Sequence, residues 1–190
     1  MVPNPWERKL AEGQKAHEIA MSHLKDWLLN LKIADYTNNM EKQHQGIDSH
    51  GEFEKTDYDT KARDYKAHKY GDILIEILSV IEYGKPGWYF TSKADFIAYV
   101  WWNPLKTDLY DGYLLNIQER RFREFFIENV EKFPLKKATS VAEGGKIWHT
   151  LNIAIPIQAF PEGTIFHFIN SPGIGWGFHG SNRLNGYLKT

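Results

Sequence analysis

A run of branched apolar residues from Ile73 to Ile81 is the feature that most constrains the fold of this chain, because only Glu76 and Ser79 interrupt it. Continuous apolar runs of this length predict a β-strand that is buried on both faces. The carboxylate of Glu76 would then lie inside a buried strand, where it needs a partner that offsets the cost of burying its charge.

Two amphipathic helices are predicted on either side of the strand-rich middle of the chain. The first spans Glu7 to Leu31, where apolar residues recur at three- and four-residue steps. The second begins at Asn116 or Gln118 and stops before Pro134. Phenylalanines occupy one side of it, and arginines interpreted as a solvated face occupy the other: Arg120, Arg121 and Arg123.

The other predicted strands are short, and their ranges are 47–53, 56–61, 96–102, 112–116 and 148–160. Residues 103–111 are predicted as a loop, and Pro156 indicates an edge position or a bend. Together these elements predict an α/β fold, with one mixed sheet of about five strands and a helix packed on each face. We expect residues 1–160 to form the core domain and the glycine-rich residues 161–190 to form a C-terminal β/loop extension of it.

Composition limits the classes of protein to consider. The 190 residues carry a net charge of -1 and contain no cysteine. One domain is the natural expectation for this length, and disulfides and thiolate metal sites are excluded. The absence of cysteine and of any signal-peptide or membrane-spanning pattern favours an intracellular, cytoplasmic protein without a membrane partner. The eight histidines are too scattered for a histidine-based metal centre.

Three acids lie beside or inside short apolar runs that favour burial, namely Asp48, Asp59 and Glu76. A divalent cation such as Mg²⁺ would compensate them, because it takes oxygen ligands from carboxylates and from substrate phosphates. Lys61 follows Asp59 by two residues, so both side chains would point to the same face of an extended strand. The pattern favours a metal-dependent phosphodiesterase site.

The spacing of Asp48 and Asp59-Thr60-Lys61 resembles the PD-(D/E)xK nuclease superfamily, with Ile47 where the nominal proline stands. The Gly46-Ile47-Asp48 segment and the later Glu76-Ile77-Leu78-Ser79 segment are similar to phage-encoded nucleases of that fold. The resemblance covers roughly residues 10 to 160. Short motifs of this kind also occur by chance.

The resemblance implies a restriction-endonuclease-like core and a Mg²⁺- or Mn²⁺-dependent endonuclease that hydrolyses DNA and leaves 5′-phosphate ends. Asp48, Asp59 and Glu76 would hold one or two metal ions, and Lys61 would orient the water or stabilise the transition state. A first helix often supplies a further acid in this superfamily, and Glu18 lies about where that residue would be. Its place on the flank of the apolar helix face favours a salt-bridge or solvent role instead.

Basic residues near the acids are candidates for contacts with the DNA backbone: Lys55, Arg63, Lys66 and Lys69. For any single one of them a solvated loop is the more frequent explanation, and only their position beside the acids favours a role in binding.

Several alternatives stay open at the level of sequence. Glu7-Arg8-Lys9 and Asp64-Tyr65-Lys66 also match the tripeptide, but neither combines an upstream Gly-Ile-Asp with a downstream acidic strand. A Holliday-junction or other structure-specific resolvase would share the same motif and would need a symmetric homodimer. A nucleic-acid-binding module without activity, or an interaction protein that uses its Trp and Phe surfaces, are the alternatives from other classes. A phage origin, with the protein acting inside a host cell, fits the resemblance.

Overall fold

The computed structural model describes residues 5–27, 33–35, 41–42, 45, 47, 49–51, 56–141 and 147–170. Its helices are α1 (Pro5–Trp27), α2 (Trp88–Thr91) and α3 (Arg120–Asn129). Its strands are β1 (Ile33–Asp35), β2 (Ser49–Gly51), β3 (Thr56–Arg63), β4 (Asp72–Val80), β5 (Lys85–Pro86), β6 (Phe96–Trp102), β7 (Leu109–Asn116), β8 (Leu135–Val141), β9 (Ile147–Pro156) and β10 (Ile165–Asn170). Among the helices so described, none is long and apolar enough to cross a membrane.

The strands form two sheets instead of the single sheet expected from the sequence. The main sheet has six strands in the order β1-β2-β3-β6-β7-β10, in which only β3 and β6 run parallel. The second sheet has four antiparallel strands in the order β5-β4-β9-β8. The α/β class is therefore confirmed, and the expectation of one mixed sheet was wrong.

Helix α1 covers one face of the main sheet. Its apolar residues fall at three- and four-residue steps, so Ala16, Ala20 and Leu24 lie on one side of the helix and are fully buried. They share a core cluster with Ala98 and Val100 of β6. This packing is the one predicted for the first helix.

The opposite face of the main sheet packs against the second sheet. Alternate residues of β6, such as Ile97 and Trp101, share a core cluster with Ile75 of β4, Ile153 of β9 and Phe122 of α3. Side chains of a strand alternate between faces, so β6 supplies both cores of the molecule. A sheet and a helix cover this face, where the sequence predicted a helix alone.

Side chains of the main sheet contact one edge of β4. Before Leu78, no described strand pairs with this edge. The Leu74 N–H donates to the Tyr99 hydroxyl oxygen at 3.0 Å, and Arg63 Nη1 donates to the carbonyl oxygen of Asp72 at 3.0 Å. The strand predicted from Ile73 to Ile81 therefore exists, but it lies across the face of the main sheet and is not a member of it.

The predicted C-terminal extension, residues 161–190, contains strand β10. Strand β10 pairs with β7 at the edge of the main sheet and buries Phe166 and Phe168 against the α1 side. The remainder of the predicted extension, residues 171–190, lies outside the described residues.

Candidate active site

Asp59 and Lys61 lie on the same face of β3, as their spacing predicted. The Lys61 Nζ lies 2.9 Å from Oδ1 and 2.8 Å from Oδ2 of Asp59. Asp59 is only 2% exposed, whereas the Lys61 side chain is 31% exposed. The Lys61 ammonium thus compensates the charge of the buried Asp59 carboxylate and still reaches solvent, so the pair lies between the core and the surface.

The strand register places this pair on the side of the main sheet that faces the second sheet. In the parallel pairing of β3 with β6, Asp59 lies beside Ile97 and Lys61 beside Tyr99. Tyr58 alternates with them and packs on the α1 side. The Asp59–Lys61 pair therefore opens toward β4 and away from α1.

Glu76 lies on β4, half-buried, and its Oε1 accepts a hydrogen bond from the Trp88 N–H at 3.3 Å. Burial raises the pKa of the Glu76 carboxyl above its usual value, and the Trp88 hydrogen bond and the positive charges of Lys61 and Lys85 oppose that rise. The positive charge of Lys61 on one sheet thus favours the ionised form of Glu76 on the other.

A close backbone approach fixes the position of Glu76. A Cβ built on Gly87 would lie 2.3 Å from the carbonyl oxygen of Glu76, a distance that no other residue could accommodate without movement. The Gly87 N–H donates to the Ile77 carbonyl at 2.9 Å. The β4–β9 register also shifts between Glu76 and Leu78, and such bulges re-aim side chains. Strand β5, Lys85–Pro86, leads directly into this contact.

Arg63 connects the two sheets. Its Nη1 donates to Asp72 Oδ1 at 2.6 Å, and the two side chains are 16% and 15% exposed. Tyr99 lies beside them, and burial raises its pKa to about 12. The guanidinium that was predicted to contact DNA is thus held in an ion pair between the sheets.

The remaining predicted site residues do not converge on the Asp59–Lys61 pair. Glu18 is exposed on α1, which packs on the opposite face of the main sheet, so its predicted metal role does not fit this geometry. Lys66 and Lys69 are exposed on the 3-10 turn after β3, with Lys69 Nζ 5.2 Å from the centre of the Tyr70 ring. Asp48 and Lys55 lie outside the described residues.

The arginines of α3 contact polar groups of their own region. Arg120 pairs with Glu124 one helical turn on, at 2.6 Å, and Arg121 pairs with Glu119 at 3.4 Å. These are exposed pairs, and exposed pairs contribute little to stability. The geometry agrees with the interpretation of this run as a solvated face.

Sequence reasoning missed a second buried carboxylate on the same face of the main sheet. Asp111 is 8% exposed; His68 Nε2 lies 2.7 Å from its Oδ2 and His167 Nε2 lies 2.6 Å from its Oδ1. The Gly112 N–H also donates to Oδ1 at 2.8 Å. Asp111 was predicted to lie in a loop, and it lies instead on β7, opposite Trp101 of β6. The three side chains come from distant parts of the chain, so no local pattern marks them.

The carboxylates near Lys61 are the oxygen donors that a hard cation such as Mg²⁺ prefers. Two of them, Asp59 and Glu76, come from described residues. Within those residues, no group of three or more histidine, aspartate or glutamate side chains lies close enough together to hold a metal ion. The donor chemistry fits Mg²⁺ or Mn²⁺ bound by two carboxylates with substrate and water oxygens.

No family model, curated protein or solved structure matches the chain. A function for it must therefore be argued from its own residues.

Proposed function

We propose that this protein is a Mg²⁺- or Mn²⁺-dependent nuclease that hydrolyses phosphodiester bonds in DNA, acting as an endonuclease that leaves 5′-phosphate ends. The observation that carries the proposal is the buried Asp59 carboxylate held against the partly exposed Lys61 ammonium. Half-buried Glu76, whose ionised form the Lys61 charge favours, supports it. Carboxylates and a lysine gathered at the boundary of a core are more typical of catalysis than of packing.

Asp59 and Glu76 would hold the cation, together with Asp48. Asp48 lies outside the described residues, and its inclusion rests on the resemblance of its spacing to Asp59-Thr60-Lys61. A bound divalent cation would neutralise charge that accumulates on the phosphate and acidify the attacking water.

Lys61 would stabilise the charge that develops on the phosphate in the transition state. Its ammonium is anchored at the buried carboxylate and its side chain is still 31% exposed, so a phosphate oxygen can approach it. A fixed positive charge of this kind needs no reorganisation during the reaction.

Glu76 would orient the water or accept its proton. Burial raises the pKa of this carboxyl in the metal-free chain. A bound cation would favour its ionised form, which can accept a hydrogen bond from the water.

Cleavage assays on a panel of DNA substrates test the proposal. Single-stranded, duplex, flapped and four-way DNA are incubated with the protein and Mg²⁺ or Mn²⁺, with EDTA as the control. We expect cleavage that EDTA stops and that Asp59→Asn reduces by about a thousand-fold, because a ligand and a charge partner are lost. Asp64→Asn is the matched control, because Asp64 is an exposed N-cap and Asn is an equally good N-cap.

Two results would contradict the nuclease proposal. Full activity of Asp59→Asn would show that Asp59 is not part of an active site. No cleavage of any substrate with either metal would show that the protein does not have the proposed nuclease activity. DNA binding without cleavage would favour the alternative of a binding module in which Asp59 and Lys61 form only a structural ion pair. The 2.8 Å contact between Asp59 and Lys61 is the observation that supports this alternative.

A further inference from the structure

Strand β8 is an exposed edge of the second sheet. Every residue of β8 is exposed except Ser140, which is half-buried, and no described strand pairs with its outer side. Leu135 and Val141 at its two ends are 60% and 51% exposed. An exposed strand edge is a template for pairing with another chain.

The hydrogen-bonding directions of β8 follow from its pairing with β9. The Ala154 N–H donates to the Pro134 carbonyl at 3.0 Å, just before β8 begins. Hydrogen-bonded positions alternate in an antiparallel ladder, so the even-numbered residues of β8 face β9. The N–H and C=O groups of the odd-numbered residues, from Leu135 to Val141, therefore point to the open edge.

We propose that two copies of this chain associate through β8, edge to edge and antiparallel, about a two-fold axis at Ala138. The two second sheets, each of four strands, would join into one continuous sheet. In this register the outward N–H and C=O groups of Lys137 in one copy face those of Thr139 in the other. Leu135 of one copy likewise faces Val141 of the other. Such an interface is the same surface on both partners, as a two-fold dimer requires.

The side chains of β8 are complementary to themselves only in this register. Lys136 lies opposite Ser140 and Lys137 opposite Thr139, so no lysine faces a lysine. Moving the axis to Lys137 would oppose two lysines, and like charges directly opposite each other are destabilising. Moving the axis to Thr139 would place Lys137 opposite Val141 and would shorten the pairing to residues 137–141.

The register also gathers apolar side chains that are exposed in one chain. Val141 pairs with Ile147 within a chain, and Leu135 pairs with Ile153. Joining Leu135 of one copy to Val141 of the other would create a row of four apolar side chains across four strands, twice per dimer. Ile147, which is 55% exposed in one chain, lies at the end of each row.

The mass of the purified full-length chain in solution tests the proposal, measured by light scattering and sedimentation over a range of concentrations. We expect a concentration-dependent dimer of the 22.2 kDa chain. Thr139→Pro removes an outward N–H and leaves the β8–β9 ladder intact, because proline is tolerated at an edge. The loss of one hydrogen bond on each side of the axis should raise the dissociation constant by about thirty-fold. Thr139→Ala keeps the N–H and is the matched control.

A second pair of variants tests the register independently of proline. Ser140→Lys would face Lys136 of the other copy and should weaken the dimer, whereas Ser140→Glu should strengthen it. Within one chain Ser140 lies opposite Trp148, so neither variant meets a charge there. A monomer at every concentration, or a dimer that none of these changes affects, would overturn the proposal. The measurement does not depend on nuclease activity, so a failure of the dimer proposal and a failure of the proposed function are separate results.

Discussion

Two buried carboxylates lie on the same face of the main sheet, and they are compensated in different ways. Asp59 is held by one lysine two residues away on its own strand. Asp111 is held by two histidines, from the turn after β3 and from β10. Asp59 thus has a partner on its own strand, and Asp111 has partners from distant parts of the chain.

The two carboxylates also differ in the exposure of their partners, and this difference distinguishes the proposed active site from a structural cluster. Lys61 is 31% exposed and leads outward from Asp59. The ring of His68 lies edge-on to Trp101 at 5.4 Å, and that of His167 stacks on Tyr113 at 4.5 Å. Each histidine is therefore packed against an aromatic ring, and we expect the Asp111 cluster to stabilise the edge of the sheet.

The largest expected effect is on activity, in Lys61→Ala. We expect cleavage to fall by about a thousand-fold because the charge beside the phosphate is lost. Lys61→Arg keeps a positive charge beside Asp59, so it should fold like the parent and recover only part of the activity. Lys9→Ala is the control at a lysine of an unrelated Glu-x-Lys match, exposed on α1. Single-turnover rates with Mn²⁺ measure all three, and an unchanged rate in Lys61→Ala would show that the pair is structural.

The next largest effect is on stability, in Asp111→Ala. Removal of a buried charge partner leaves His68 and His167 without their acceptor, so we expect unfolding to become easier by about 3 kcal/mol. Asp108→Ala is the matched control, since Asp108 also lies 3.2 Å from a histidine, His23, but with 57% of its side chain exposed. That exposed pair should contribute less than about 1 kcal/mol. Urea denaturation measures both, and equal losses would show that burial does not distinguish the two pairs.

The sequence predicted those elements in which a local pattern matches the final environment. Strand β6 has the predicted bounds, since it is apolar on both faces. Asp59 and Lys61 come together because their contact depends only on the two-residue period of a strand. Strand β8 escaped prediction because it is exposed on both sides and has no alternation for a pattern to reveal.

Features that depend on the partners of an element were not predictable in the same way. The apolar run of β4 indicates burial but not which sheet covers it, so the division into two sheets was missed. Asp111 meets His68 and His167 only through the packing of three distant segments. Glu76 and Lys61 belong to different sheets, and here the family resemblance, more than any periodicity, singled out Glu76.

A smaller effect is expected at the turn that holds Glu76. Gly87→Ala would bring a methyl group to 2.3 Å from the Glu76 carbonyl oxygen, so the turn or β4 must move. We expect a loss of about 2 kcal/mol in unfolding free energy together with reduced cleavage. Gly13→Ala is the control: its Cβ would meet nothing within 4 Å and the residue lies in α1. It should stabilise the protein by about 1 kcal/mol. An unchanged unfolding free energy and cleavage rate in Gly87→Ala would show that the position of Glu76 does not depend on this contact.

The smallest expected effect is on the pH dependence of stability, and it concerns Glu76 itself. Burial raises the pKa of its carboxyl in the folded chain above the unfolded value of 4.5, so the folded state binds more protons than the unfolded state in this range. The contribution of Glu76 to stability is then fully present below pH 4.5 and is lost as the pH rises through the raised pKa. Glu76→Gln should remove this dependence. Mg²⁺ should reduce this pH dependence of stability in the parent protein only, because a cation favours the ionised carboxylate. Denaturation at a series of pH values, with EDTA or with Mg²⁺, measures both effects. Identical profiles for the parent and Glu76→Gln would show that this carboxylate plays no part in the charge balance around Lys61.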